Sequence, residues 1–320
     1  MRIVFMGSPE FALPALSRLI ESEHEIVGVY TQPDRPSGRG RKLTPPPVKT
    51  LALAHGLDVR QPKSISKPDV VEDLRRLAPD VGVIAAYGQI LRQAVLDVPP
   101  LGILNIHASL LPRWRGAAPI SASILAGDAE TGATIMLVRL ALDAGPMLGA
   151  APVPISASDT TATLTPKVAA EGAKLLMEVL PRWARHEIAP VEQDESLATY
   201  APQIEKADAL IDWDRQTVRE VLRSVRAYNP WPMAFSYMEG QPLRLLECAP
   251  LAVVAARPPG TIFSLEAEAS PPGAGFAIAA VDGAIAAITV QGAGGKPMAA
   301  SAYLRGHTDI IGKQLRRARS

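Results

Sequence analysis

The stretch LGILNIHASLLPRWRG, residues 101–116, starts as a short apolar run and breaks at a proline flanked by two arginines. From Leu101 to Ala108 it is too short for an ordinary helix, and apolar residues occupy both alternating sets of positions. That pattern suits a strand covered on both faces, which is the habit of parallel sheets. Asn105 and His107 are two apart, so on a strand they project from the same face.

Working outward, RIVF (2–5), EIVGVYT (25–31), DVGVIAAY (80–87) and TIMLVRL (134–140) read as further strands. Helix-period segments separate them, at 8–22 with Ser8 as N-cap and Pro9 in the first turn, and at 69–78, 90–96 and 118–126. The alternation implies an α/β fold built on a doubly wound, mostly parallel, Rossmann-like sheet. In such sheets ligands gather at the carboxyl ends of the strands.

A helix over 159–180, with Pro166 inside it, closes this half. Residues 181–205 lose periodicity and carry Pro190 and Pro202, which reads as a linker. Beyond Lys206 one helix (214–227) is followed by short apolar runs between Gly and Pro turns, among them QPLRLLECA (241–249) and GFAIAAVDG (275–283). Short strands without intervening helices imply a small C-terminal β-barrel, OB-like in shape, over 206–320. Trp213, Tyr228 and Trp231 suit stacking on unpaired bases or, the favoured reading, its core, and GKQLRRARS (312–320) reads as a frayed basic tail.

Composition narrows the function classes. The chain has 320 residues, 48% hydrophobic and 20% charged, with a formal net charge of +1. This is a folded, globular balance, not that of a disordered or generally polybasic chain. A single cysteine, Cys248, allows neither a disulfide nor a Cys-based metal site, so a reducing, cytoplasmic setting is expected. No run approaches the length of a membrane span, and Gly7, Pro9 and Glu10 break up the apolar N-terminus before a signal core forms.

At the end of the 101–108 strand, an Asn amide is suited to donate a hydrogen bond to a developing oxyanion, and a His to carry a proton near neutral pH. Asp143, in RLALDAGPML (139–148), follows the next strand with Gly145 and Pro146 marking a tight loop, and is placed to orient the imidazole. The residues alone leave a plainer reading open, in which Asn105 caps a turn, His107 is a satisfied core histidine and Asp143 starts an Asx-turn.

NIHASLLPRWRGAAPI (105–120) together with LDAGPML (142–148) resembles the signature of folate-dependent formyltransferases. The resemblance implies catalytic roles for Asn105, His107 and Asp143 in moving a formyl group from 10-formyltetrahydrofolate to an amine. It also implies folate contacts along Ser109, Leu110, Leu111 and Pro112, and no metal. Ala108 stands where some relatives have Gly.

The acceptor has to be read elsewhere. TQPDRPSGRGRKLTPPPVK (31–49) gathers Arg35, Arg39, Arg41, Lys42 and Lys49 around one acid, Asp34, with Gly38 and Gly40 freeing the backbone. A basic loop of this kind suits phosphates and an acceptor stem, although a solvated surface loop has the same composition. It resembles the loop of tRNA-acting members of the family, as do MRIVFMGSPEF (1–11), VIAAYGQIL (83–91), GDAETGATIM (127–136), KADALIDW (206–213) and VRAYNPWPMAF (225–235). The likeness covers most of residues 1–240.

It implies a monomer that formylates the α-amino group of initiator methionyl-tRNA for translation initiation. A catalytic domain would span 1–180 and a tRNA-binding barrel 206–320, with Arg39 first among the loop contacts and Arg41 and Lys42 supporting it. Arg215, Arg219, Arg223 and Arg226, at near-helical spacing, offer a second basic surface. A dinucleotide-binding oxidoreductase is disfavoured because FMGSPEF lacks G-x-G-x-x-G. A non-catalytic RNA-binding module leaves Asn105, His107 and Asp143 unexplained, whereas an amino-sugar formyltransferase or a formyl-folate hydrolase would keep them.

Overall fold

The computed structural model describes residues 1–37, 42–252, 257–265 and 270–317, with the side chains of Ser37 and Lys42 outside the description. The chain divides into two compact units. The first comprises Met1–Pro119, Glu130–Pro154 and Thr165–Pro202, and the second Ile120–Ala129, Ile155–Leu164 and Gln203–Ser320.

The first unit is built on β1 (Arg2–Gly7), β2 (Glu25–Tyr30), β5 (Val59–Arg60), β6 (Val81–Ala85), β7 (Ile103–His107), β9 (Glu130–Leu137) and β10 (Met147–Pro154). Their spatial order is β10-β9-β7-β6-β1-β2-β5. The pairs among β5, β2, β1, β6 and β7 are parallel, as the doubly apolar runs imply, whereas β7–β9 and β9–β10 are antiparallel. The sequence reading missed β10. It is an edge strand whose residues alternate between exposed and covered, and turn residues join it to β9, so no buried run marks it.

Helix α1 (Leu13–Ile20) follows a 3-10 turn at Glu10–Ala12, so the helix begins later than its expected cap at Ser8. The reason is local: the Ser8 hydroxyl donates to the Tyr87 carbonyl and accepts the Gln32 amide, tying strand ends together instead of capping. The next elements are the β3 (Arg35–Ser37) and β4 (Lys42–Thr44) hairpin, α2 (Pro47–Ala54), α3 (Pro68–Arg76) and α4 (Gln93–Leu96). Val71 and Leu74 of α3 and Val95 of α4 cover one sheet face with Val4, Met6, Ile84 and Ile103. Ile106 points to the opposite face, where Gly172 of α6 (Thr161–Ala184) comes so near that a Cβ would lie 2.6 Å from Ile106 Cγ2. α6 runs through both Pro166 and Pro181, so the first residues of the expected linker are its last turn.

The second unit takes in α5 (Pro119–Ala126) from Ile120 onward and Ile155–Leu164 with the first turn of α6, and is otherwise C-terminal. Its helix α7 spans Val218–Ala227, shorter than the 214–227 expectation. Thr217 and Glu220 form a reciprocal capping box that fixes the start. The antiparallel sheet runs in the order β12 (Phe235–Met238), β13 (Gln241–Leu251), β16 (Gly283–Gln291), β15 (Phe276–Ala280) and β14 (Ile262–Phe263), with β17 (Met298–Ala299) beside β16 and α8 (Ala300–Gly306) after it.

The tail expected to fray bridges the two edges of this sheet. Arg316 exchanges both backbone hydrogen bonds with Tyr237, and Leu315 donates to Gly260 and is buried. A Cβ on Gly260, at φ +82°, would meet Leu315 O at 2.5 Å, so glycine is what admits the tail. Trp213 and Tyr228 are buried as expected, but Trp231 is 52% exposed.

Candidate active site

β7 carries Asn105 and His107 on the face that Ile103 buries against α3 and α4. Its register sets Asn105 between Ile84 of β6 and Met136 of β9, and His107 opposite Thr134. His107 is only 5% exposed, and its Nε2 lies 2.9 Å from the carbonyl oxygen of Trp114. A carbonyl can only accept, so this nitrogen carries the proton and Nδ1 is left to face the other side. There, Oδ2 of Asp143 stands 3.7 Å away. Asn105 is half-buried, and among the described residues its amide makes no hydrogen bond. The arrangement therefore holds one oriented imidazole, one carboxylate and one uncommitted amide.

The segment that follows β7 turns on itself. The Ser109 hydroxyl donates to Arg113 O at 2.6 Å, and Thr134 Oγ1 both donates to Ser109 O and accepts the Leu111 amide. Ser109 is completely buried and Leu111 nearly so, while Leu110 and Pro112 remain half-exposed. The short strand β8 (Arg115–Gly116) then pairs in parallel with β11 (Tyr200–Ala201). Thr199 clamps the turn, accepting the Trp114 amide on its hydroxyl and the Arg115 amide on its carbonyl. The carbonyl that orients His107 is thus fixed by a residue from the stretch read as a linker.

Asp143 is held from two directions. Its Oδ2 accepts the Gly116 amide at 2.9 Å, and its backbone sits at φ +47°, a left-handed conformation that Asp tolerates better than most residues. Nε2 of Gln193 donates to Asp143 O at 2.8 Å and to Gly145 O at 2.7 Å. Oε1 of Gln193 in turn accepts from Nε and Nη2 of Arg115, a fully buried arginine that also forms a two-pronged pair with Glu195. The Glu195 contact pushes the Arg115 guanidinium up from its ordinary value, and the same contact holds the Glu195 carboxyl below its own. Sequence reasoning missed Arg115 as an anchor, and missed Thr134, Gln193, Glu195 and Thr199 altogether. The last three lie about fifty residues beyond Asp143, with no spacing to mark them.

Of the basic loop, Arg39 and Arg41 lie outside the described residues, and Lys42 is described only as a backbone partner of Ser37. The base of the loop is visible. Lys49 is paired with Asp34 at 2.8 Å, and Gln61 also donates to Asp34, so Lys49 serves as an anchor of the hairpin. Hydrogen bonding from Lys49 and Gln61 keeps the Asp34 carboxyl below its usual value. In the second unit, Arg219 is exposed, but Arg226 is half-buried and donates to Asp159 O, and burial lowers its basicity. The four arginines are therefore not one uniform surface stripe.

Among the described residues no group of three His, Cys, Asp or Glu side chains is placed to hold a metal ion. Among the same residues no helix is long and apolar enough to cross a membrane.

Comparison with known proteins supplies the context for this constellation. The profile described as formyl transferase matches residues 1–180, and the formyl transferase C-terminal domain profile matches residues 203–308. The methionyl-tRNA formyltransferase of Chloroflexus aurantiacus is 48% identical over 312 residues, covering 97% of this chain and 99% of that protein. That of Methylococcus capsulatus is also 48% identical, over 98% of this chain and 99% of its own length. Among solved structures, HypX from Aquifex aeolicus in complex with tetrahydrofolic acid superposes with a TM-score of 0.66 at 20% identity over 97% of this chain. The chain spans about half the length of that protein, 48% of it, and the likeness is one of fold.

Proposed function

Because the chain belongs to the formyl transferase family, we propose that it transfers the formyl group of 10-formyltetrahydrofolate to the α-amino group of initiator methionyl-tRNA. The near full-length identity to methionyl-tRNA formyltransferases supports the acceptor. The observation that carries the chemistry is His107, proton-bearing at Nε2 and facing Asp143 through Nδ1, on the same strand face as an Asn105 amide that makes no hydrogen bond among the described residues. The reaction belongs to the cytoplasm, where initiator tRNA is charged and used.

The donor supplies an electrophilic formyl carbon and a folate nitrogen that departs with a proton. The residues at the mouth fit such a molecule. Half-exposed Leu110 and Pro112 present apolar surface after β7, exposed Ile90 does so on the loop after β6, and the Asn105 amide lacks a partner among the described residues. In the net exchange the attacking amine loses one proton and the folate nitrogen gains one. With Nε2–H committed to Trp114 O, Nδ1 of His107 is the atom that takes up that proton and hands it on. Asp143 stabilises the imidazolium formed in between, and the Asn105 amide donates to the oxygen that gains charge. A positioned acid–base group of this type contributes about 10²–10⁴-fold in rate, and one oxyanion donor about 3 kcal/mol. The α-amine has a pKa near 8, so a usable fraction is neutral at physiological pH without metal activation.

On this reading the β3–β4 loop, through Arg39, Arg41 and Lys42, holds phosphates of the acceptor arm. Leu110 and Pro112 offer side-chain contacts to the folate, while Ser109 and Leu111 act by shaping the turn that presents them. The test is to incubate the protein with 10-formyltetrahydrofolate and, separately, initiator methionyl-tRNA, elongator methionyl-tRNA and a nucleotide-linked amino sugar, following formyl transfer by mass. Transfer confined to the initiator tRNA is expected. Transfer to the sugar, or release of formate without an acceptor, overturns the acceptor assignment and leaves the formyl chemistry.

A further inference from the structure

We infer that Gln193 is a positioning residue for Asp143, with its amide held in one orientation by the buried Arg115 guanidinium, itself paired with the exposed Glu195 carboxylate, so that a side chain 50 residues downstream sets the carboxylate opposite His107. The inference rests on the proposed catalytic role of Asp143.

An isolated glutamine amide is ambiguous, because its oxygen and nitrogen can exchange places. Here neither side tolerates the exchange. The two Arg115 nitrogens, 3.0 and 2.9 Å from Oε1, can only donate. The two carbonyls, Asp143 O at 2.8 Å and Gly145 O at 2.7 Å, can only accept. Each pair demands the observed orientation, and together they demand it twice. Gln193 is only 8% exposed, so solvent does not compete for these bonds.

What the amide holds is the backbone of the turn that carries Asp143. The turn needs holding, since Asp143 lies at φ +47° and Gly145 packs so tightly that an added Cβ would fall 1.7 Å from Leu137 O. Bonds to residues 143 and 145 span the strained position and fix where the carboxylate emerges. At the far end, Arg115 cannot swing away, because both of its terminal nitrogens are engaged by Glu195 at 2.8–2.9 Å. The backbone of Arg115 and Gly116 also belongs to the site, since the Gly116 amide meets Asp143 Oδ2. One residue pair therefore supports Asp143 from both its backbone and its carboxylate.

Displacements of about 1 Å at a catalytic group cost on the order of 100-fold in rate. The decisive experiment is a double-mutant cycle between Gln193→Glu and Asp143→Asn, read as single-turnover formyl transfer with enzyme in excess so that slow residual rates stay measurable. Gln193→Glu keeps the volume and the acceptor for Arg115, but turns the two donated bonds into contacts between oxygens.

The expected result is a rate about 10–100-fold lower for Gln193→Glu in the wild-type background, with donor and tRNA KM within about threefold. In the Asp143→Asn background the same substitution should change the rate less than about threefold. Equal losses in both backgrounds would show that Gln193 acts on the fold at large and overturn the inference, as would wild-type turnover by Gln193→Glu beside a slow Asp143→Asn. Fast turnover by Asp143→Asn itself would overturn the catalytic reading of Asp143, and the inference with it. Gln193→Met, which cannot repel the carbonyls but also cannot donate, separates lost donation from added repulsion. It is expected to fall on the same side of the cycle as Gln193→Glu, and wild-type turnover by Gln193→Met would overturn the inference.

Discussion

Oδ2 of Asp143 lies 3.7 Å from Nδ1 of His107, while the same oxygen accepts the Gly116 amide at 2.9 Å. The first distance is that of a charge partner and too long for a hydrogen bond. The carboxylate is held at a set distance by backbone, so an imidazolium gains Coulomb stabilisation without the proton being drawn across. This distinguishes the pair from one in which a carboxylate and a histidine are simply bonded together.

Replacing His107 with Ala should lower kcat by about 10²–10⁴-fold, since it removes the group that takes and returns the proton. Folate binding should survive, because the half-exposed Leu110 and Pro112 are untouched. Losing the hydrogen bond from His107 to Trp114 O should cost about 0.5–1.5 kcal/mol in stability. Turnover by mass, folate affinity by fluorescence titration and a denaturant melt check the three parts.

Gly145→Ala should be nearly as damaging without touching any reacting group. Its Cβ would sit 1.7 Å from Leu137 O, so the turn has to move and takes Asp143 with it. A rate loss of about 100-fold is expected, with the loss in kcat greater than in KM. Steady-state kinetics on the purified variant checks this.

The Glu195 carboxyl is lowered by its contact with Arg115, so the folded state holds its proton less tightly than the unfolded chain does. The stabilisation is complete above the unfolded carboxylate value of about 4.3 and is lost as pH falls through the lower folded value. The wild type should therefore lose melting temperature on acidification below about pH 4.5 more steeply than Glu195→Gln does. At pH 7 the same variant weakens the partner of a buried cation and should melt lower than wild type. Thermal melts from pH 3 to 7 give both comparisons.

Arg39→Ala is expected to raise KM for tRNA several-fold with little change in kcat, and to reduce the slope of log affinity against log salt by about one. An unchanged salt slope would remove Arg39 from the phosphate contacts. Binding titrations at several salt concentrations measure it directly.

The sequence makes the strand β7 legible from its apolar run, and the period of two sets Asn105 and His107 on one face, whereas their chemistry is read from the family resemblance. Asp143 is legible only through the resemblance of LDAGPML to the formyltransferase signature, since a lone acid in a Gly-Pro turn after a strand equally suits an Asx-turn. The support of these residues is not legible. Gln193, Glu195 and Thr199 lie in a stretch without period or motif, and only the pairing of β8 with β11 brings them to the site. The antiparallel edge was missed for a similar reason: β10 alternates like a surface strand and carries Pro152 and Pro154. Ser8 was misread as a helix cap because serine before Pro-Glu has the composition of one, while its real partners, Tyr87 and Gln32, are distant in the chain.

The segment that joins Tyr237 to Gly260 has a bearing on how the second unit closes. Without Gln314–Arg316 the sheet has two open edges, at Tyr237 of β12 and at Thr261 beside β14. Unpaired edges invite wrong partners. The second unit also draws on Ile120–Ala129 and Ile155–Leu164. The second unit is thus assembled from three separated stretches of chain, and the strip at Gln314–Arg316 is the clasp that closes it.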